Sequence, residues 1–288
     1  MPRSAPLSDM TGRVCVITGA NRGIGQATAE ELGRLGATLV LVSRRREDGD
    51  EVSAAIAKVG TGPAPEVVEA DLSSQAAVHA AAGEIRARHP AVHVLINNAA
   101  TVPPERLVTV DGLEMQLAVN HLAPFLLTHL LLPALRAGAP SRVITVSSTT
   151  HHGALVDFDD FQSERDYESA EVYAVTKLIN VLFSSELARR LHGSGVTANC
   201  LHPGAVATKL LADYMRVPLV GGVLAHTFGA SPEQGADSVV YLAAAPEVAE
   251  VSGKYFNNRR EIRSSPASYD EATARRLWEV SERLTGIR

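Results

Sequence analysis

Tyr173 and Lys177 stand four residues apart in a segment whose composition is that of a helix. Residues at this spacing share one helix face, so the ammonium of Lys177 is expected beside the phenol of Tyr173. A free tyrosine has a pKa of about 10, and a neighbouring positive charge favours its ionised form. The pair therefore predicts an acid or base that exchanges a proton with a substrate oxygen. A pair on a solvated helix surface is the alternative interpretation.

Three further polar residues are candidates for a role beside this pair. Ser148 follows a predicted strand at the sheet edge where ligands bind in open α/β folds, and it could hydrogen-bond the same substrate oxygen. Asn97 ends another strand and is either a ligand-binding amide or only a turn former. Asn120 lies in an apolar helical segment, where asparagine is a poor choice for a helix interior.

A glycine turn joins the first predicted strand to the first predicted helix. Gly19, Gly23 and Gly25 would let the backbone approach a pyrophosphate, which the amides and dipole of a helix start also favour. The spacing is Gly-x-x-x-Gly-x-Gly rather than the Gly-x-Gly-x-x-Gly of the standard dinucleotide motif. A tight turn without a ligand is the alternative.

The end of the second predicted strand bears on the choice of cofactor, because the adenosine ribose of a dinucleotide lies there. Residues 42–46 carry arginines instead of the acid that would bind a free 2′-hydroxyl. Arg44 matches a 2′-phosphate through its charge and planar donors, and Arg22 adds a second cation. The sequence therefore favours NADP, with NAD as the second option. A solvated helix start at residues 44–46 would also explain these arginines.

Alternating β-branched and Ala/Leu-rich segments carry these residues. This rhythm predicts strands joined by crossover helices, and strands that are apolar throughout are typical of a parallel sheet covered on both faces. The predicted strands are residues 14–18, 38–42, 66–69, 92–96, 142–146, 196–201 and 253–256; the predicted helices are 24–35, 74–89, 113–137, 170–192 and 271–284. Pro124 and Pro133 are expected to bend or divide the third helix. The predicted fold is a single Rossmann-type, doubly wound α/β sheet of about seven strands with helices on both faces.

Composition and charge restrict the class of protein. Hydrophobic residues make up 45% and charged residues 20% of the 288, as in a globular domain, so we expect one domain with an N-terminal tail at residues 1–11. The net charge of −5 argues against a nucleic-acid partner and favours a small molecule. Cys15 and Cys200 lie in apolar segments, without disulfide or metal-ligand spacing. Because no signal core or long apolar run occurs, we expect an unanchored, cytoplasmic protein.

Together these features resemble the short-chain dehydrogenase/reductase family. The similar segments run in family order over nearly the whole chain: residues 18–25, Asp71-Leu72, Asn97-Asn-Ala99, Asn120, Ser148, Tyr173, Lys177, His202-Pro-Gly204 and Thr208. Residues 119–127, 180–191 and 276–285 are similar to the retinol-dehydrogenase-like branch. Ala100 departs from the family pattern, which has glycine after Asn-Asn-Ala, so the backbone beside the nicotinamide is expected to differ slightly.

The resemblance implies a catalytic set of Asn120, Ser148, Tyr173 and Lys177. Tyr173 would transfer the proton, Ser148 would orient the substrate oxygen, and Lys177 would also bind the nicotinamide ribose. Asn120 would hold a water that links Lys177 to solvent. The implied cofactor-binding residues are Gly19, Asn21, Arg22, Gly23, Ile24, Gly25, Arg44, Asp71, Leu72, Asn98, Ala99, Ala100, Tyr173, Lys177, Pro203, Gly204, Val206 and Thr208. No metal site is expected.

The predicted function is an NADP(H)-dependent oxidoreductase that interconverts a carbonyl and an alcohol on an apolar or aromatic small molecule. Residues 149–172 and 205–230 are expected to shape the substrate pocket, the second as an apolar lid. One alternative is a catalytically idle NADP-binding sensor, against which intact Ser148, Tyr173 and Lys177 argue. The other is an NAD-dependent epimerase or dehydratase of the same fold, which Arg44 opposes. A homodimer and a monomer both stay open.

Overall fold

The strand segments of the described residues assemble into one sheet of eight strands. The computed structural model describes residues 7–206, 210, 214 and 230–287. The strands are β1 (Val14–Thr18), β2 (Thr38–Ser43), β3 (Glu66–Glu69), β4 (Val94–Asn97), β5 (Ser141–Val146), β6 (Val196–His202), β7 (Tyr255–Asn257) and β8 (Arg260–Ile262). Their order in the sheet is β3-β2-β1-β4-β5-β6-β7-β8. Neighbouring strands from β1 to β7 pair in parallel, and β8 runs antiparallel to β7. The predicted doubly wound α/β class is confirmed.

Helices cover both faces of this sheet. Over the described residues they are α1 (Gly23–Arg34), α2 (Arg46–Val59), α3 (Gln75–Arg88), α4 (Met115–Ala137), α5 (Ser169–Arg190), α6 (Pro232–Ala244) and α7 (Glu271–Thr285). The sequence pattern does not predict α2, α6 or β8, all of which are present in the structure. Helix α2 buries only Gly49, Val52 and Ile56, so its apolar stripe is too narrow to stand out.

Helix α4 combines three helical segments. A π-helical turn, Ala118–Leu122, precedes the α-helical segment Ala123–Ala137. Pro124 follows the π turn in the first turn of that segment, where a missing N–H costs little, whereas Pro133 lies inside it. The helix therefore continues through Pro133 and is not divided there, whereas the predicted bend stays a prediction. Of the described helices, α4 alone is long and apolar enough to span a bilayer, but 72% of its most apolar stretch is buried, as in a core helix.

Two apolar layers fix the position of the sheet between its helices. Ile17, on one face, packs in the layer beneath α1 and α6, and Val16, on the other, packs in the layer beneath α3 and α4. Strands β1 and β4 are neighbours at the centre of the sheet, where the strand order reverses. A crevice opens beyond the carboxyl ends of strands at such a switch point.

Candidate active site

One cleft of about 660 Å³ lies at this switch point, a size that suits a cofactor or a small-molecule ligand. Nearly all predicted site residues line it: Gly19, Asn21, Arg22, Gly23, Ile24, Gly25, Arg44, Asp71, Leu72, Asn98, Ala99, Ala100, Ser148, Tyr173, Lys177, Pro203, Gly204 and Val206. Asn120 lies behind the lining residues, next to Val119, which does line the cleft. Thr208 lies outside the described residues.

Hydrogen bonds lock the glycine turn against the end of β4. Thr18 Oγ1 accepts hydrogen bonds from the backbone N–H groups of Asn98 (3.0 Å) and Ala99 (3.1 Å). The Asn98 side-chain amide in turn donates to the carbonyl oxygens of Thr18 (2.9 Å) and Gly19 (3.2 Å). A Cβ on Gly25 would lie 2.3 Å from the Gly19 oxygen, so glycine is required there by the packing of the turn itself.

The start of helix α1 has the donors that a dinucleotide pyrophosphate needs. Its N-cap, Arg22, makes no side-chain hydrogen bond to the helix, and no acidic residue lies in the first turn. The first amides of α1 therefore have no side-chain cap, and the helix dipole favours an anion beside them. Gly19 has a φ of 65°, which brings the turn close to this helix start. The residues present fit a nicotinamide dinucleotide.

Of the three arginines that follow β2, one begins helix α2 and two line the cleft. Arg46 begins α2, as the solvated-helix interpretation predicts, whereas Arg44 and Arg45 line the cleft. The Arg45 guanidinium donates to Asp48, and this contact holds the pKa of the Asp48 carboxyl below its usual value. The Asn21 amide also donates to Asp48, at 3.4 Å. This end of the cleft therefore holds a carboxylate as well as cations, a feature that sequence reasoning missed.

Helix α5 places Tyr173 and Lys177 together at the other end of the cleft, buried to 7% and 2% exposure. Lys177 Nζ donates to the Val146 carbonyl at 3.1 Å and lies 5.2 Å from the centre of the Tyr173 ring. The Ser147 hydroxyl donates to the Lys177 carbonyl at 2.7 Å, so the end of β5 and the residue after it both hold this turn of α5.

Burial dominates the electrostatics of this pair. Burial lowers the pKa of Lys177 to about 8. Burial, with a smaller contribution from Tyr214, raises the pKa of Tyr173 above its usual value. The predicted lowering of the Tyr173 pKa by Lys177 is therefore not met in this structure. The reason is that desolvation penalises the phenolate, and the Lys177 ammonium is bonded to the Val146 carbonyl.

Asn120, within the π turn, binds the backbone of Thr101, a residue that lines the cleft. Its side-chain oxygen accepts from the Thr101 N–H at 2.8 Å, and its amide donates to the Thr101 carbonyl at 3.0 Å. The same amide donates to Thr176 Oγ1, and the Thr176 hydroxyl donates to the Tyr173 carbonyl. Single π-helical turns within α-helices occur frequently at functional sites. The water predicted beside Asn120 stays a prediction.

The two predicted pocket segments contribute unequally. From residues 149–172, Thr149 and Thr150 line the cleft, whereas Phe158 and Phe161 pack in an apolar cluster with α7. Most of residues 205–230 lie outside the described residues. Tyr214, which does line the cleft, has its ring centre 5.3 Å from that of Tyr173. Sequence reasoning missed this residue because it weighed the segment for apolar content only.

The described residues also bear on metal binding and on cysteine chemistry. In the described part of the chain, no group of three or more His, Cys, Asp and Glu side chains is placed to hold a metal ion. Cys15 and Cys200 are buried and unpaired with each other, and burial raises the pKa of each thiol to about 12. Both thiols therefore stay protonated at neutral pH.

Comparison with known proteins agrees with this geometry. The sequence model described as short chain dehydrogenase matches residues 13–216. Human retinol dehydrogenase 14 is 41% identical over 96% of this chain and 88% of its own length. A crystal structure of an uncharacterised protein from Mycobacterium paratuberculosis has a TM-score of 0.80, with 33% identity over 98% of this chain and 96% of that one.

A further solved structure carries a cofactor. This NADP-bound protein from Beutenbergia cavernae, described as an NAD(P)-dependent gluconate 5-dehydrogenase, has a TM-score of 0.68 and 27% identity, with 87% of this chain and 96% of that chain covered. The family match and the identity to retinol dehydrogenase 14 both span most of this chain. The protein therefore belongs to the short-chain dehydrogenase/reductase family, in its retinol-dehydrogenase-like branch, and is an NAD(P)-dependent dehydrogenase of the class that acts on CH–OH donors.

Proposed function

We propose that this protein uses NADP(H) to interconvert a carbonyl and an alcohol on an apolar or aromatic small molecule. One observation carries the proposal: Ser148, Tyr173 and Lys177 line the same cleft as the glycine turn and Arg44. A nicotinamide cofactor, when bound, supplies or accepts the hydride, and the protein positions the reacting groups.

The residues at the buried end supply the proton. Because burial raises the pKa of Tyr173, its hydroxyl is protonated at neutral pH and can donate to a carbonyl oxygen during reduction. Lys177, with a pKa of about 8, is mostly charged at pH 7 and stabilises the phenolate that is left. The Ser148 hydroxyl donates to the same substrate oxygen and orients it. In alcohol oxidation the proton moves the other way.

The remaining lining residues would hold the cofactor. The amides at the start of α1 and the turn at residues 19–25 would hold the pyrophosphate, and Asp71 with Leu72 the adenine. Arg22 and Arg44 would bind a 2′-phosphate, which supports NADP over NAD. Lys177 would bind the nicotinamide ribose, and residues 203–206 would lie near the carboxamide.

Apolar side chains at the substrate end support an apolar substrate. Met115, Val119, Leu210 and Tyr214 line the cleft with Tyr173. The similar proteins named retinol dehydrogenases make retinaldehyde the first carbonyl to test, although a shared fold does not fix a substrate.

A carbonyl panel tests this function. The purified full chain is mixed with NADPH or NADH and with retinaldehyde, an aromatic aldehyde, an aliphatic ketone or a polar sugar ketone, and loss of reduced-cofactor absorbance is followed. We expect turnover with NADPH and the apolar carbonyls. Tight NADPH binding without turnover of any carbonyl would favour the sensor, and preference for NAD without net cofactor consumption would favour the epimerase or dehydratase.

We also propose that the protein acts in the cytoplasm without a membrane anchor. The buried position of the long apolar helix α4 is consistent with this proposal. Separation of cytosol and membranes from cells that express the full chain tests it, and recovery in the membrane fraction would contradict it.

A further inference from the structure

A buried histidine lies directly behind Ser148. His151 is 0% exposed, and its Nδ1 is hydrogen-bonded to the Ser148 backbone carbonyl, which also accepts the His151 backbone N–H at 3.4 Å. Its Nε2 lies 2.8 Å from Ser264 Oγ and 3.3 Å from the backbone nitrogen of Ser265. Ser264 and Ser265 belong to the chain between β8 and α7. His151 therefore joins a distant segment to the back of the candidate active site.

The fixed neighbours select one form of the imidazole. The Ser265 N–H can only donate, so Nε2 must carry a lone pair. The Ser148 carbonyl can only accept, so Nδ1 must carry the proton. An imidazolium would place an N–H against the Ser265 N–H, and burial of the ring lowers the His151 pKa in the same sense. The neutral Nδ1–H tautomer satisfies all these neighbours.

Ser148 lies beyond the end of β5, so hydrogen bonds of the sheet do not hold its backbone. The Ser147 N–H makes the last backbone bond from this chain segment to β6, at 2.7 Å to Leu201. Ser148 continues in an extended conformation, with φ −154° and ψ 156°, and its Oγ accepts from the Thr150 N–H at 3.2 Å. Strand pairing therefore does not fix the Ser148 carbonyl, and His151 binds it.

We propose that His151 is a positioning residue for Ser148: its Nδ1–H holds the Ser148 carbonyl and so sets the direction in which Ser148 Oγ faces the cleft. This inference rests on the proposed function, in which that hydroxyl donates to the substrate oxygen. A misplacement of about 1 Å in such a group can cost about 100-fold in rate.

Two substitutions by amide side chains distinguish the hydrogen bond made by His151 Nδ1 from those made by Nε2. The amide of His151→Asn falls at the place of Nδ1 and keeps a donor to Ser148. The longer side chain of His151→Gln reaches the place of Nε2, where its oxygen accepts from Ser265, and loses the donor to Ser148. We expect His151→Gln to lower kcat for carbonyl reduction about 10- to 100-fold with little change in the KM for NADPH, and His151→Asn to keep most of kcat.

The neighbouring histidine provides a matched control. His152 Nδ1 makes the same type of contact, 2.9 Å to the Thr149 carbonyl, but its ring is exposed and Thr149 has no proposed proton role. We expect His152→Gln to match the native chain in kcat and in melting temperature. If His151→Asn and His151→Gln lower kcat equally and in proportion to their loss of melting temperature, His151 is only structural and the proposal is wrong.

Measurements on the cofactor-free chain keep this test separate from the proposed function. The ¹⁵N shifts of His151 should report the Nδ1–H tautomer, and an Nε2–H tautomer overturns the proposal. The Thr150 N–H, which donates to Ser148 Oγ, should exchange with solvent faster in His151→Gln than in His151→Asn. Should the native chain reduce no carbonyl, the proposed function fails, whereas the tautomer and this exchange difference still decide whether His151 positions Ser148.

Discussion

The two ends of the cleft hold their polar groups in opposite ways. At the catalytic end, Tyr173 and Lys177 are nearly inaccessible to solvent, and backbone contacts fix the lysine. At the arginine end, the Arg45 side chain is 67% exposed and Arg44 is also exposed. Desolvation dominates the pKa values at the first end, whereas at the second end the contact with the exposed Arg45 lowers the pKa of Asp48.

This difference ranks the effects that substitutions should have. Buried groups interact at a low effective dielectric and have few alternative partners, so loss of one is costly. Exposed charges are screened by water and salt, so each contributes little and the contribution depends on ionic strength. We therefore expect the largest effects of substitution at the buried end and the smallest at the exposed end.

Removal of the Tyr173 hydroxyl should have the largest effect. Tyr173→Phe keeps the buried ring and removes the proton donor, so we expect kcat for carbonyl reduction to fall about 10²- to 10⁴-fold while NADPH still binds. Steady-state kinetics and NADPH titration measure the two quantities. Tyr241→Phe, another buried tyrosine outside the cleft lining, is the control. Near-native turnover by Tyr173→Phe would rule out the proposed acid.

The buried lysine should make stability depend on pH. Burial lowers the Lys177 pKa from its ordinary value of 10.5 to about 8, so between these values the unfolded chain binds more protons and stability rises with pH. We expect the native chain to gain about 2 kcal/mol in free energy of unfolding relative to Lys177→Met between pH 8 and pH 10.

Urea unfolding of both chains across this pH range measures the gain. The exposed Lys58 supplies a control, because Lys58→Met removes a lysine without changing a buried one. A difference between native and Lys177→Met chains that stays constant from pH 8 to pH 10 would show that Lys177 keeps an ordinary pKa in the folded chain.

Local patterns were enough to predict the glycine turn and the Tyr173 and Lys177 pair of the cleft, whereas Asp48 and Tyr214 were missed. The glycine turn, the Tyr173 and Lys177 spacing, and the runs of apolar strand residues each depend on neighbours within one or two turns of chain. The direction of the Tyr173 pKa shift could not be predicted in this way, because it depends on burial produced by the whole fold. The contact of His151 with Ser264 joins residues that are 113 positions apart in the sequence, so no local pattern predicts it.

The exposed arginine should set cofactor preference by a moderate amount. Arg44→Ala removes a cation at the place proposed for the 2′-phosphate, so we expect the Kd for NADPH to rise about 10-fold and that for NADH to stay the same. Because the charge is exposed, the difference should shrink at high ionic strength. Fluorescence titration measures both Kd values, with Arg46→Ala, outside the cleft lining, as control. An equal loss for both cofactors would contradict a role in phosphate recognition.

Substitution of Asp48, the carboxylate beside these arginines, should have the smallest effect, and it should lower the Kd for NADPH instead of raising it. Asp48 lines the cleft and accepts from Arg45, so Asp48→Asn removes a negative charge near the proposed phosphate and releases a guanidinium. We expect the Kd for NADPH to fall about two- to threefold, since exposed ion pairs contribute little. Glu47→Gln makes the same charge change in the same helix turn outside the cleft lining, so it controls for net charge and for the helix dipole. If both substitutions change the NADPH Kd equally, the effect is a general one of charge, and the arginine end recognises its ligand without a local contribution from Asp48.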